Sequence, residues 1–356
     1  MILTIIVFIL ILGILIFAHE LGHFITAKKF GMKVEEFGFG YPPKLFSFKK
    51  GDTIYSLNLF PIGGFVRIHG ELNEKKRSKS KKAFYNKPAW KRAIVLVAGV
   101  FCNLLIAAIF LSIVHMIGIP SIVEEGKNYK NIQIQVVEVA KDSPAKDAGI
   151  KIGDTIKSLN NQEIKELEDV QSFVAMNIGQ EVNVQIKRGK EIIDKKVLLR
   201  ISHPEGEGIM GIAMAKTDLI SYPWYEAIAR GFETTGRLFI TFIKMFYLLI
   251  KNLIISGKLI ADIAGPVGIA NLTAQMVDLG FVYVLQFAAI LSINLVILNL
   301  IPIPALDGGR LLLLFIEKLK GKPIKAKTEQ LANGISFALL ILLMIVITLR
   351  DVVNLF

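Results

Sequence analysis

Long apolar stretches dominate the hydrophobic pattern of this chain. Three are strong, at about residues 2–27, 93–119 and 335–349, and a fourth at about 282–303 is interrupted by two asparagines and two prolines. Each stretch is near the roughly 20 residues that a helix needs to cross a bilayer. The pattern therefore predicts an α-helical polytopic membrane protein with about four transmembrane helices.

Shorter patterns lie between these stretches. Residues 37–68 alternate around the turn signal Lys50-Gly51-Asp52, which predicts a β-hairpin. Residues 132–200 mix strand alternation with short helical periods and predict a small α/β domain. From Glu226 to Lys258 a cation recurs every seven residues in an apolar helical pattern, at Arg230, Arg237, Lys244, Lys251 and Lys258. Five cations are costly inside a bilayer, so this stripe favours a helix at the membrane surface over a fifth span.

These patterns divide the chain into eight segments. The predicted transmembrane segments are 1–27, 93–119, 282–316 and 335–350. The other predicted segments are the loops 28–92 and 317–334, the inserted domain 120–205, and a linker with the surface helix at 206–281.

The composition and the charge distribution add an orientation. A hydrophobic content of 53% and a mean hydropathy of +0.53 exclude an ordinary soluble enzyme. The net charge of +12 arises mostly from residues 28–92, with sixteen Lys and Arg against five Asp and Glu, and residues 317–330, with five Lys against two Glu. The positive-inside rule makes both loops cytoplasmic. Both termini and residues 121–281 then lie outside the cell (inner) membrane.

Two classes of partner or linkage are not expected. No interleaving of basic and aromatic residues suggests a nucleic-acid surface, so we expect no nucleic-acid partner. Cys102 is the single cysteine, which excludes an intrachain disulfide. The lipid bilayer is the expected surroundings.

The sequence His19-Glu20-Leu21-Gly22-His23 ends the first apolar stretch. Two histidines four residues apart share one face of a helix, where they can bind one zinc ion, and Glu20 is then a candidate general base for zinc-bound water. A charged side chain at membrane depth costs about 2.5–3.5 kcal/mol on insertion scales. Such residues are expected there only with a function or a partner.

A zinc ion held by two histidines needs a third protein ligand, which leaves the fourth position for water. Asp307, in Leu306-Asp307-Gly308, is the carboxylate of the third span's motif, and the predicted topology brings it to the depth of His19 and His23. Capping of the following helix is the alternative role. We predict that Asp307 is the third ligand.

Three asparagines lie in the predicted spans. Asn294 and Asn299 precede Pro302 and Pro304, and Asn103 follows Gly99 in the second span. Asparagines in membranes commonly join helices, and they can also orient a substrate or stabilise an oxyanion. Substrate binding is predicted for Asn299. Both roles stay open for Asn294 and Asn103, with packing favoured around Gly99.

Together these residues resemble the site-2 proteases, the intramembrane zinc metalloproteases, and in particular the bacterial regulators of σ-factor activation. The motifs that carry the resemblance are His19–His23, Phe37-Gly38-Phe39-Gly40, Gly63-Gly64-Phe65-Val66 and the stretch from Asn299 to Gly308. The resemblance implies that His19, His23 and Asp307 bind Zn²⁺ and that Glu20 is the catalytic base. It also implies a membrane-dipping hairpin that presents substrate and an inserted domain of PDZ fold. The chain departs from the family at Gly99-Val100, where Gly-Pro is usual, and in having room for one PDZ-like domain.

We therefore expect an intramembrane zinc metalloendopeptidase that cleaves transmembrane segments of single-span proteins, such as anti-sigma factors or signal-peptide remnants. The unwound substrate would add as a strand to the Phe46–Leu59 hairpin. The PDZ-like domain would filter substrates by size or bind a peptide or a cleaved substrate end. Three alternatives lack protease activity. A metal transporter needs ligands toward both faces, and a PDZ-bearing scaffold leaves the buried motif unexplained. A non-catalytic relative would be expected to lose Glu20 or a ligand, and all four positions are occupied.

Overall fold

The computed structural model describes residues 2–71, 80–122, 132–189, 191–204, 206–257, 264–322, 324 and 326–353. These residues form two compact units. The first comprises residues 1–112, 228–274 and 285–356, and the second comprises residues 113–227 and 275–284.

Within the described residues, four helices are long and apolar enough to cross a membrane. They are α1 (Ile2–Lys29), α2 (Ala89–Ile117), α7 (Phe281–Leu300) and α9 (Ala326–Val353). Their most apolar stretches have mean hydropathies from 2.3 to 3.0. A helix bonds its own backbone groups internally, which suits such apolar stretches to a bilayer. The prediction of about four such helices is confirmed.

Two prolines follow the helix formed by the apolar stretch at 282–303 and separate it from the next helix. The helix α7 ends at Leu300, and α8 (Asp307–Lys320) begins after Pro302 and Pro304. Proline cannot donate a backbone hydrogen bond and clashes with the preceding turn. The break places Asp307 at the first position of a new helix.

The helix α5 (Trp224–Ser256) covers most of the predicted surface helix, and α6 (Pro266–Leu279) follows it. In the first unit, α5 packs on α2 and α7 through a cluster of apolar side chains. That cluster contains Ala107, Leu111, Ala289, Ile293 and Ile297, with Leu238, Phe239, Phe242 and Phe246 of α5 against it. Arg237, Lys244 and Lys251 are exposed, and Lys258 lies outside the described residues. The helix therefore has one packed face, and its position at a membrane surface stays a prediction.

A small antiparallel sheet packs on α1. Its two long strands are β1 (Val34–Lys50) and β2 (Thr53–Ile68), and the predicted turn at Lys50-Gly51-Asp52 is found between them. Phe37 pairs with both Tyr55 and Val66, so the strands fold back on themselves. The resulting order of segments is 64–68, 34–39, 53–58 and 44–50, which leaves 64–68 and 44–50 as the two edges. The Phe24 ring of α1 stacks on Phe37 at 4.7 Å.

The second unit is built around a larger sheet. Its described strands are β3 (Ile119–Ile122), β4 (Gln133–Val139), β5 (Thr155–Leu159), β6 (Gln162–Glu163), β7 (Glu181–Arg188), β8 (Glu191–Leu198) and β9 (Ile212–Ile220). They lie in the order β3-β9-β4-β5-β7-β8, with β6 beside β5. The helices α3 (Pro144–Asp147) and α4 (Leu167–Met176) also belong to the unit. The sheet extends past residue 205, because β9 pairs between β3 and β4.

The chain enters and leaves the inserted sheet at residues that lie next to each other. The Tyr222 N–H donates a hydrogen bond to the His115 carbonyl at 3.0 Å, and the two rings lie 5.9 Å apart. The strands β3 and β9 then run antiparallel from that point, with Ile119 opposite Ile220. The sheet is therefore an insertion with adjacent ends.

Candidate active site

His19 and His23 lie on one buried face of α1. Their Nε2 atoms are 3.1 Å apart. His23 Nδ1 lies 2.8 Å from the Val95 carbonyl of α2. A carbonyl only accepts hydrogen bonds, so this contact requires the proton on Nδ1 and leaves Nε2 with a free lone pair. A ring held in this way by its second nitrogen is the usual arrangement of a histidine that binds a metal.

Asp307 joins the two histidines from the start of α8. Its Oδ2 atom lies 3.0 Å from His19 Nε2 and 3.3 Å from His23 Nε2. Leu306 occupies the position before the first helical residue, and no side chain caps the helix there. Gly308 and Gly309 press against the backbone of residues 300–304, which leaves no space for larger residues. The turn thus directs the Asp307 carboxylate to the histidines and not to its own helix end.

These three side chains fit a zinc ion. Two neutral imidazole nitrogens and one carboxylate oxygen form a donor set that zinc prefers. Ligand atoms at zinc bond lengths in a tetrahedral site lie about 3.3 Å apart, close to the 3.0–3.3 Å separations here. Asp307 Oδ2 is also buried without a hydrogen-bond partner among the described residues. No other group of three such ligands is found in the described part of the chain.

Glycine lets α2 approach this cluster closely. A side chain at Gly99 would lie 2.7 Å from His19 Cε1 and 2.8 Å from His23 Cε1. Gly22 of α1 lies against Ala98 and Cys102 in the same way. The predicted packing role of Gly99 agrees with these contacts.

Glu20 lies between the histidines and the small sheet. Its Oε2 atom accepts a hydrogen bond from the Val66 N–H at 3.0 Å. Gly64 lies on the same strand edge, and a side chain there would lie 3.7 Å from Glu20 Cγ. Glu20 also interacts electrostatically with His19, His23 and Asp307. The Glu20 carboxylate, the strand edge of Val66 and three candidate metal-ligand atoms therefore share one site.

The comparison with known proteins agrees with a metalloprotease site of this kind. The sequence profile of Peptidase family M50 matches residues 7–343. The chain belongs to peptidase family M50. It is an intramembrane zinc metalloprotease of the site-2 type, as the sequence predicted, and zinc is its cofactor.

Several relatives match this M50 peptidase over most of their length. Zinc metalloprotease RasP of Bacillus licheniformis is 30% identical, covering 99% of this chain and 99% of that protein. Regulator of sigma-W protease RasP of Bacillus subtilis is 31% identical, covering 89% and 90%. Zinc metalloprotease RasP of Oceanobacillus iheyensis is 32% identical, covering 89% and 91%. The solved PDZ domain of the SdrC-like protein of Listeria monocytogenes is 20% identical, covering 25% of this chain and 93% of that one, with a TM-score of 0.22.

The three asparagines of this M50 peptidase differ in their surroundings. Asn294 is exposed and Asn299 is half-buried on α7, and neither has a hydrogen-bond partner among the described residues. Their predicted role in substrate binding stays a prediction. Asn103 is buried, and its side-chain amide has no hydrogen-bond partner in the described part of the chain. Its backbone carbonyl accepts a hydrogen bond from Ser292 Oγ at 2.8 Å. Asn103 therefore lies where α2 and α7 meet.

Two charged residues that no sequence motif had identified lie beside this candidate site. Arg310 follows Asp307 by one helical turn, and Glu71 follows the strand that contacts Glu20. Arg310 Nη1 lies 2.6 Å from Glu71 Oε1, although 239 positions separate the two residues. The arginine directly after Asp307-Gly308-Gly309 was a usable signal, because a cation in that span needs a partner.

Proposed function

We propose that His19, His23 and Asp307 bind the zinc ion of this peptidase and that Glu20 is its general base. The reaction is hydrolysis of peptide bonds within transmembrane segments of single-span membrane proteins. The convergence of two imidazole nitrogens and one carboxylate oxygen beside Glu20 carries this proposal. It also favours a protease over a transporter. The residues of this site form one cluster, whereas a transporter needs ligands spaced along a path between the two membrane faces.

Each side chain has a distinct task in this chemistry. When bound, zinc acts as a Lewis acid that polarises a carbonyl and lowers the pKa of water toward ~7. Glu20 is placed to take a proton from water and to return it to the departing amide nitrogen. Val95 fixes the orientation of His23 through its carbonyl. The close contact of α2 at Gly99 keeps bulk water off the histidine rings.

We place the active site near the cytoplasmic face of the cell membrane. The charge of the loops at residues 28–92 and 317–330 supports this orientation. His19 and His23 are in the C-terminal half of α1, shortly before the first basic loop. The inserted sheet of the second unit then faces the outside, where we propose that it works as a PDZ-like domain.

We propose that substrate adds as a strand to the sheet edge beside Glu20. The expected site was the Phe46–Leu59 hairpin, but residues 53–58 already have neighbours on both sides. The free edge at Gly64–Ile68 is the better candidate, because Val66 directs its N–H outward to Glu20. A helical substrate must unwind before cleavage, and strand pairing satisfies the backbone groups that it exposes.

The proposed location of the active site within the membrane suggests the class of substrate. Anti-sigma factors and signal-peptide remnants are single-span proteins that this site can receive, and one relative is named a regulator of sigma-W protease. The PDZ-like domain would exclude large extracytoplasmic regions or bind a newly cut end. Both roles limit access to substrates that another protease has already shortened.

The decisive experiment compares purified protein in detergent with its Glu20→Gln variant on a tagged single-span peptide. We expect the wild type alone to release product, and a chelator to stop it. Equal product from both proteins would indicate a contaminating protease and contradict the role of Glu20. Zinc transport into vesicles without cleavage would favour the transporter, and peptide binding without either activity would favour the scaffold.

A further inference from the structure

We propose that Arg310 and Glu71 are positioning residues that hold the Asp307 carboxylate and the substrate strand in register. The inference rests on the proposed function, because it assigns a partner to the third metal ligand.

The contact joins two elements that carry the chemistry. Arg310 Nη1 and Glu71 Oε1 are 2.6 Å apart, with the side chains 27% and 13% exposed. Glu71 ends the turn after the edge strand, and its N–H donates to the Ile68 carbonyl at 3.1 Å. Arg310 lies in the first turn of α8, and its N–H donates to the Leu306 carbonyl at 3.1 Å. The ion pair therefore connects the strand of Val66 to the turn of Asp307.

The charges of the site require this cation. Glu20 interacts electrostatically with both Glu71 and Asp307, so three carboxylates share one neighbourhood. Arg310 interacts with Glu71 and with Asp307. Partly buried like charges repel strongly unless a cation lies between them. Glu71 in turn keeps Arg310 from pairing with Asp307, which leaves that carboxylate free to bind the metal.

A second ion pair on the same helix provides a matched control. Arg92 Nη1 lies 2.9 Å from Glu317 Oε2, with side chains 13% and 11% exposed. Arg92 also lies over the rings of Phe84 and Tyr85. Glu317 follows Asp307 by ten positions, or about 15 Å along the helix. This pair anchors α8 without contacting the metal ligands.

The test measures zinc affinity of the full chain in detergent by competition with a chelator. The variants are Arg310→Gln, Glu71→Gln, the double variant and the control Arg92→Gln. We expect each single change at 310 or 71 to weaken zinc binding by about 10- to 100-fold, the usual effect of removing a partner of a metal ligand. The double variant should lose little more than either single one, because one contact is removed in all three. Arg310→Lys, which keeps the charge, should recover part of the loss.

The control separates positioning from general stability. Arg92→Gln should lower the unfolding temperature while zinc affinity stays near that of the wild type. If Arg310→Gln and Glu71→Gln also lower only the unfolding temperature, the pair is structural and the inference is wrong. His19→Ala tests the metal site itself. If that variant keeps its zinc, the proposed function fails independently of Arg310 and Glu71.

Discussion

At the residue scale, a single missing side chain determines how tightly the metal site is enclosed. Gly99 brings the α2 backbone against both histidine rings. A residue with a Cβ atom cannot occupy this position unless the rings move, and overpacking of this kind costs about 1–3 kcal/mol. The geometry of His19 and His23 therefore depends on a residue that has no chemistry of its own.

We predict that Gly99→Ala weakens zinc binding. The loss in binding free energy should be at least as large as the loss in the free energy of unfolding. The added methyl group would displace the two histidine rings that we propose bind zinc. Zinc content after dialysis and the rate of test-peptide cleavage measure the effect. Gly334→Ala in α9 is the control, because nothing lies within 4 Å of its Cβ position. Full zinc retention in Gly99→Ala would contradict the predicted displacement.

At the element scale, the hydrophobic pattern predicts the helices correctly but not the pairing of strands. The spacing of His19 and His23 predicts their common face, and the charge of the loops predicts the depth of Asp307. The strand β9 was assigned to a linker, since its short alternation from Ile212 to Ile220 indicates no partner until β3 and β4 are placed. The contact of Arg310 with Glu71 spans 239 positions, so local pattern cannot predict it.

The two edges of the small sheet give a prediction at this scale. Val66→Pro removes the outward N–H beside Glu20. We expect it to weaken substrate binding by about 10-fold, which corresponds to the free energy of one or two backbone hydrogen bonds. Lys49→Pro is the matched change on the opposite edge. Lys49 directs its N–H away from the neighbouring strand, because Lys50 and Thr53 flank the two-residue turn as a bonded pair.

Binding should be measured by crosslinking a test peptide in the Glu20→Gln background, where cleavage does not interfere. Zinc content should stay unchanged in both proline variants. If Lys49→Pro abolishes binding and Val66→Pro does not, substrate uses the outer edge and the proposed strand addition at Gly64–Ile68 is wrong.

At the scale of the whole molecule, the inserted sheet has adjacent ends and also contacts Asp278 and Tyr283 through Lys151 and Gln135. Its ends meet where Tyr222 bonds to His115, so residues between them can leave without stretching the chain. A deletion confined to residues 132–200 would leave β9 without its neighbour β4. The insertion must therefore be removed as one piece, from Ile119 to Ile220.

We predict that replacing residues 119–220 with a short Gly-Ser linker preserves cleavage of a small test peptide. The same variant should accept substrates with a large extracytoplasmic domain, which we expect the intact protein to reject. Product formation from paired short and long substrates measures both effects. Unchanged rejection of the long substrate would show that selection does not depend on this sheet.

The hydrogen bond between Val66 and Glu20 has a consequence for the order of events in cleavage. Glu20 accepts this bond from the strand that we propose an incoming peptide joins. An extended peptide competes with Glu20 for the Val66 N–H as it docks, whereas a solute that cannot pair as a strand does not. We therefore expect docking of an unwound segment to precede proton transfer to Glu20.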